Sequence, residues 1–187
     1  MRLFTGLDVP YEMRRNLELL LELLKPKAQV HWSPLDNLHV TTKFIGEWPE
    51  ERLDEVKRAL AALPAPGDFT IGIRGLGWFP NPHSPRVLFA AIAAPQGLSD
   101  LAATTNSAVA PLGIESETRE FKPHLTLARI KSAVPLLELK QAIAALPSVD
   151  FGAFQARQFH LYLSQQRGGR SVYTKLASYP LNGADTH

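Results

Sequence analysis

The sequence predicts an α+β fold built from two copies of one strand–helix–strand–helix–strand unit. Three observations carry this expectation. Short apolar runs of strand character alternate with stretches whose apolar residues recur at helical spacing. Landmark residues return about 85 positions later in the chain. A tripeptide of the form His-x-Thr occurs once in each copy, as His39-Val40-Thr41 and His124-Leu125-Thr126.

In order, each copy opens on an apolar run led by arginine: Arg2-Leu3-Phe4 in the first, Arg86-Val87-Leu88-Phe89-Ala90 in the second. Both runs read as strands that stop at a proline, Pro10 or Pro95. A helix follows each. Leu17, Leu20, Leu21 and Leu24 make one apolar face; Leu98, Leu101, Ala102, Thr105, Ala108, Val109 and Leu112 make the other. Each copy then reaches its His-x-Thr strand. A second helix starts after Pro49 or Pro135, where a proline suits the first turn. Leu53, Val56, Leu60 and Leu63 repeat the spacing of Leu136, Leu139, Ile143 and Leu146, and both helices end at a proline, Pro64 or Pro147. A last strand begins near Phe69 and near Phe154. The join is Gly77-Trp78-Phe79-Pro80-Asn81-Pro82-His83-Ser84-Pro85, rich in turn formers.

The 187 residues suffice for one domain with a real core, and 45% hydrophobic against 20% charged residues is a globular composition. No apolar run is long enough to span a bilayer. The first residues lack the apolar stretch of a signal peptide and carry an early acid, Asp8. The absence of cysteine excludes disulfides, thiolate nucleophiles and cysteine-based zinc sites, and it fits a cytoplasmic location. A net charge of +2 is too small to argue nucleic-acid binding by itself.

One His-x-Thr alone carries little weight. With ten threonines in 187 residues, a histidine meets one two places on about one time in twenty. Two copies at matching places of a repeat point instead to a shared site. In a strand, residues two apart share a face, so each copy sends an imidazole and a hydroxyl the same way. One neutral histidine can take a proton from attacking water while a protonated one gives a proton to the departing oxygen. Threonine hydroxyls can donate to the non-bridging oxygens of a phosphate. In-line displacement wants acid and base on opposite sides of phosphorus, which two lobes with one histidine each supply. Zinc chemistry fits less well, because neither motif has an HExxH spacing or an aspartate on the same face. There is no G-x-S-x-G elbow and no P-loop, and Gly72 to Gly77 does not match a dinucleotide fingerprint. His31, His83, His160 and His187 are read as structural or solvent-facing, with His160 placed where its strand could border the cleft.

The residues around both motifs resemble the 2H phosphoesterase superfamily, and within it the RNA 2′,3′-cyclic phosphodiesterases first known as 2′-5′ RNA ligases. The resemblance rests on Trp32, Asn37-Leu38-His39-Val40-Thr41 and Phe44-Ile45-Gly46-Glu47 around the first motif. Pro85-Arg86-Val87-Leu88-Phe89 and Phe121-Lys122-Pro123-His124-Leu125-Thr126-Leu127-Ala128-Arg129 extend it, as do Leu161-Tyr162-Leu163-Ser164, Tyr173 and Tyr179-Pro180-Leu181. It implies a bilobal domain over residues 1–180 with mainly antiparallel sheets around a central cleft. The repeat halves then cover about 1–79 and 85–180, with a loose tail at 181–187.

The resemblance implies hydrolysis of a 2′,3′-cyclic phosphate at an RNA end to a 2′-phosphomonoester, with ligation as its reverse and no metal or other cofactor. It makes His39 the proton donor and His124 the acceptor, with Thr41 and Thr126 beside them; the near-symmetric motifs themselves do not assign those parts. The expected ligands are cyclic-ended RNA or small cyclic nucleotides, the chain is expected to be monomeric, and no membrane is involved. A module that binds RNA ends without turnover, and a phosphodiesterase for another substrate such as 2′-5′ oligonucleotides, are the alternatives. Family analogy makes Phe44 and Arg129 substrate-binding, by stacking and by cation contact. Strict alternation opposes this, placing both on the far face unless a bulge intervenes. Lys43 does share the His39 face by alternation, as a phosphate ligand or a solvated strand end. Thr42 stands where the family has an apolar residue, and alternation points it away from His39. Gln165 to Arg170 reads as an exposed hairpin tip with two cations.

Overall fold

The computed structural model describes residues 1–93 and 95–183. The first half runs β1 (Arg2–Asp8), α1 (Tyr11–Leu24), a short β2 (His31–Trp32), β3 (His39–Glu47), α2 (Leu53–Ala61) and β4 (Phe69–Phe79). The second runs β5 (Val87–Ala93), α3 (Gln96–Val109), β6 (His124–Arg129), α4 (Leu137–Ala144), β7 (Asp150–Ala156), β8 (Gln158–Arg167) and β9 (Arg170–Pro180). The α+β class and the doubled element order are as the sequence predicts.

Two antiparallel sheets result, with orders β3-β1-β8-β9 and β2-β6-β5-β4-β7. Neither sheet belongs to one half. β4 leaves the first half to pair with β5, and β8 leaves the second to pair with β1. The helices cross in the same sense: α3 packs on β3 and α2, while α1 packs on β7 and α4. Leu17, Leu20, Leu21 and Leu24 of α1 are buried, as are Leu98, Leu101, Ala102, Thr105 and Val109 of α3. Burying each leucine contributes roughly 1.5–3 kcal/mol. Buried residues from both halves form one continuous core.

Four local expectations change. Phe154 does not open the last strand of its half; it lies inside β7, an edge strand paired to β4, and β8 follows as a separate strand. Gly77, Trp78 and Phe79 belong to β4, so the join begins only at Pro80. Gly77 is there for close approach rather than for a turn: a Cβ would sit 2.4 Å from Cζ of Phe89, its cross-strand partner. His31 is not in a loop but in β2, which pairs with β6 of the other half. The tail does not loosen at Leu181. That side chain is buried, its N–H donates to the Arg157 carbonyl, and its carbonyl accepts from Gly67 N–H. Of the expected tail, residues 184–187, His187 included, lie outside the described residues.

Candidate active site

The two motif strands carry the same irregularity at the same place. In the β1–β3 ladder Gly6 faces Thr41 and Thr5 faces Lys43, so Thr42 has no partner. In the β5–β6 ladder Phe89 faces Thr126 and Leu88 faces Ala128, so Leu127 has none. Each is a β-bulge, one extra residue that restarts alternation. The third residue after each motif histidine is absorbed, and the fifth returns to the histidine's face. Phe44 is thereby brought beside Phe4, at 6.4 Å between ring centroids, and Phe4 itself lies 4.7 Å from His39. Arg129 stands opposite Val87, on the face that carries Phe89 and His124. Both Phe44 and Arg129 are exposed.

The same bulge overturns the placement of Lys43. Its side chain is buried on the opposite side of the strand, and its ammonium donates to Asn106 Oδ1 at 2.8 Å and to the Glu115 carbonyl at 2.6 Å. Lys43 ties β3 to the segment around α3 and is not in the cleft. Thr42 does point away from His39. It is buried, and its hydroxyl pairs with that of fully buried Thr5 at 2.7 Å. The leftover carbonyl of Leu127 is caught by Ser33 N–H at 2.8 Å, and Ser33 Oγ donates to the Thr126 carbonyl at 2.8 Å. The segment after β2 thus fastens the second motif.

His39 and His124 are held alike. Nδ1 of each lies 2.7 Å from the carbonyl two residues earlier, Asn37 for one and Lys122 for the other. A carbonyl only accepts, so Nδ1 is the protonated nitrogen, and Nε2 is left for proton transfer. Thr41 and Thr126 are half-buried on the same faces, and neither hydroxyl is engaged by another described side chain or carbonyl. β3 and β6 lie against each other, which brings the two motifs together. Burial holds the His39 pKa below the ordinary histidine value; the Asn37 hydrogen bond opposes this, the charges of His124 and Arg129 add to it, and Asp8 opposes it.

Aromatic rings wall both histidines. Phe4 stacks on Tyr162 at 4.9 Å, and the edge of Tyr173 meets both Phe4 and His39, at 5.1 and 5.0 Å. His124 sits edge-on to Phe79 at 5.0 Å and near Phe89 at 5.6 Å. Most of these aromatics stand in the family-like stretches of the sequence, but nothing there gives them a part. Phe4 and Phe89 show their place only once register is known, because both come from first strands of the repeat. Sequence reasoning also missed a polar cluster beside His39. Asp8 accepts from the Tyr162 hydroxyl and the Lys175 ammonium, and His160 Nε2 lies 3.7 Å from its carboxylate. His160 is buried, with Nδ1 2.7 Å from Ser178 Oγ. Burial works against Asp8 ionising, but Lys175, Tyr162 and His160 outweigh it and hold the carboxyl below its usual range. Burial and the Asp8 carboxylate push the Tyr162 phenol up.

A cavity of about 440 Å³ opens beside His39, with Asp8, Asn37, Tyr173 and Lys175 among its lining residues. A larger hollow of about 580 Å³ between α2 and α3 is lined mainly by alanines, Leu63 and Pro64 and has no titratable side chain, so it offers no chemistry. Of the histidines outside the motifs, His31 and His83 are exposed. Among the described residues no three His, Asp or Glu side chains group as metal ligands would. No described helix is long and apolar enough to cross a membrane.

A family model described as LigT like phosphoesterase matches the chain twice, over residues 7–89 and 91–173, one match in each half. A Thermus thermophilus protein named RNA 2′,3′-cyclic phosphodiesterase is 35% identical over 193 aligned positions, which cover 98% of this chain and 91% of that one. An Archaeoglobus fulgidus protein of the same name is 33% identical, over 86% of this chain and 89% of its own. Among solved structures, TT0787 of Thermus thermophilus superposes with a TM-score of 0.82 at 33% identity, over 98% of this chain and 100% of that one. E. coli LigT complexed with 3′-AMP superposes with a TM-score of 0.80 at 29% identity, over 97% and 98%.

Proposed function

The chain belongs to the LigT-like phosphoesterase family, and from that premise we propose that it hydrolyses 2′,3′-cyclic phosphates at RNA ends to 2′-phosphomonoesters. The observation that carries this is the mirrored pair of imidazoles, each fixed through Nδ1 to the carbonyl two residues earlier, each with Nε2 free. His124 Nε2 takes a proton from water as the water oxygen bonds to phosphorus. The P–O3′ bond breaks, and His39 Nε2 gives its proton to O3′. Each proton transfer contributes roughly 10²–10⁴ in rate. The Thr41 and Thr126 hydroxyls donate to the non-bridging oxygens as charge gathers there. Phe44 offers a ring face to the terminal base and Arg129 a planar cation.

The near-symmetry of the two half-sites favours a second reaction by the same groups. With a 5′-hydroxyl in the place of water, His124 accepts its proton, the P–O3′ bond breaks, His39 donates to O3′ and a 2′-5′ linkage forms; with the protonation states exchanged, His39 accepts from O3′ as it bonds to phosphorus, the P–O5′ bond breaks and His124 donates to O5′. The names of the relatives and the 3′-AMP complex of E. coli LigT support a nucleotide in the cleft. The test incubates the protein, without and with EDTA, with a nucleoside 2′,3′-cyclic phosphate, a cyclic-ended oligonucleotide and a 2′-5′-linked dinucleotide. Fastest turnover of a cyclic phosphate to the 2′-monoester is expected. Tight binding without turnover would make the cleft a sensor of RNA ends, and activity lost on EDTA addition would rule out metal-free chemistry.

A further inference from the structure

The two half-sites match in bulge and in imidazole anchoring, and aromatic rings wall both, but they differ in what stands across from each histidine. Asp8 stands directly across from His39, and Ala91 stands directly across from His124. We propose that Asp8 is a positioning residue that breaks the symmetry of the site and commits His39 to the donor's part. This rests on the acid–base pair proposed above.

Cross-strand partners share a face, so the Asp8 carboxylate lies on the cleft side with His39, and the two line the same cavity. The carboxylate is fixed from three directions: Tyr162 and Lys175 donate to its two oxygens, and His160 sits beneath at 3.7 Å. A fixed anion near a half-buried imidazole favours the protonated ring, which is the state a donor needs. At the matching place across from His124 stands the methyl group of Ala91, which carries no charge. The other charged or titratable groups around His39 are His124 and Arg129 from β6, Tyr173 and Lys175 from β9, and Arg14, which pairs with Asp36 at 3.2 Å at the cavity edge. Of the charges acting on His39, only that of Asp8 favours its cation; His124 and Arg129 oppose it.

The test compares the unaltered chain with Asp8→Asn in two measurements. Imidazole titration by NMR from about pH 5 to about pH 9 spans the histidine range. Over the same span kcat/KM is measured on a 2′,3′-cyclic nucleotide. A donor works only when protonated. Lowering its pKa therefore leaves the acid-side rate alone and reduces the alkaline-side rate, tenfold for each pH step by which the titration moves down. Asp8→Asn is expected to move the His39 titration to lower pH, leave that of His124 in place, and slow hydrolysis only toward alkaline pH. An unmoved His39 titration overturns the proposal whatever the rates do. A rate raised at acid pH and unchanged at alkaline pH makes His39 the base and overturns its commitment as donor. No hydrolysis by the unaltered chain removes the donor assignment along with the functional reading, and the titration still decides whether Asp8 acts on His39. Lys175→Met covers the case in which Asp8→Asn does not fold. It keeps the carboxylate and removes its cation, so His39 is expected to titrate higher and alkaline-side hydrolysis to rise; a shift the other way overturns the proposal.

Discussion

The reaction proposed for His39 and His124 turns on which ring nitrogen is free and how easily it holds a proton. Anchoring of Nδ1 answers the first point identically for both. Burial answers the second for His39 by disfavouring its cation. Single substitutions separate the two parts. His124→Ala leaves the donor alone, so its residual hydrolysis is expected to be highest at acid pH and to fall as pH rises through the lowered His39 pKa. His39→Ala leaves the base alone, and its residual rate is expected to climb with pH. Each is expected to lose roughly 10²–10⁴ of the rate. Initial-rate pH profiles of the two variants check this, and slopes of the opposite sign would exchange the roles. The two histidines and two threonines were legible in the sequence because a doubled short motif is a local signal. Asp8 was not: alone it is an ordinary acid before a proline, and its meaning lies in what it faces.

Elements fix what the motif strands present. Sequence alternation puts Lys43 in the cleft and Phe44 and Arg129 outside it; the bulges at Thr42 and Leu127 reverse all three. A bulge adds one residue without changing composition, so nothing in a single sequence marks it. The family resemblance needs Phe44 and Arg129 on the face of the motif histidines, and the bulged strands put them there where periodicity did not. Gly77 shows the converse. Its turn-forming character suggested a loop, yet it lies in β4 beneath the Phe89 ring. Gly77→Ala is expected to destabilise the fold by about 1–3 kcal/mol through overpacking. Because Phe89 flanks His124, hydrolysis is expected to fall as well. Thermal unfolding and kcat on the same preparation check both effects, and an unshifted Tm would mean that the ring moves aside freely.

Across the whole molecule, helix and strand order was readable because hydrophobic periodicity is local. Strand pairing was not, since the choice of partner is settled far along the chain. The exchange of β4 and β8 between halves makes each sheet a joint product. Residues 1–79 expressed alone are therefore expected to show no cooperative unfolding transition, because β2 and β4 lose the partners they have in the full chain; a sharp transition would show that a half is a domain in its own right. One motif histidine lies on each sheet, on β3 and on β6, so the proposed acid–base pair needs both halves. The most direct measurement follows an RNA oligonucleotide ending in a 2′,3′-cyclic phosphate by phosphorus NMR, in EDTA, with the unaltered chain, His39→Ala and His124→Ala in parallel. The account predicts conversion to the 2′-phosphomonoester by the unaltered chain and near-complete loss in both variants. Persistent cyclic phosphate, a 3′-phosphomonoester product, or a histidine variant at the unaltered rate would contradict it.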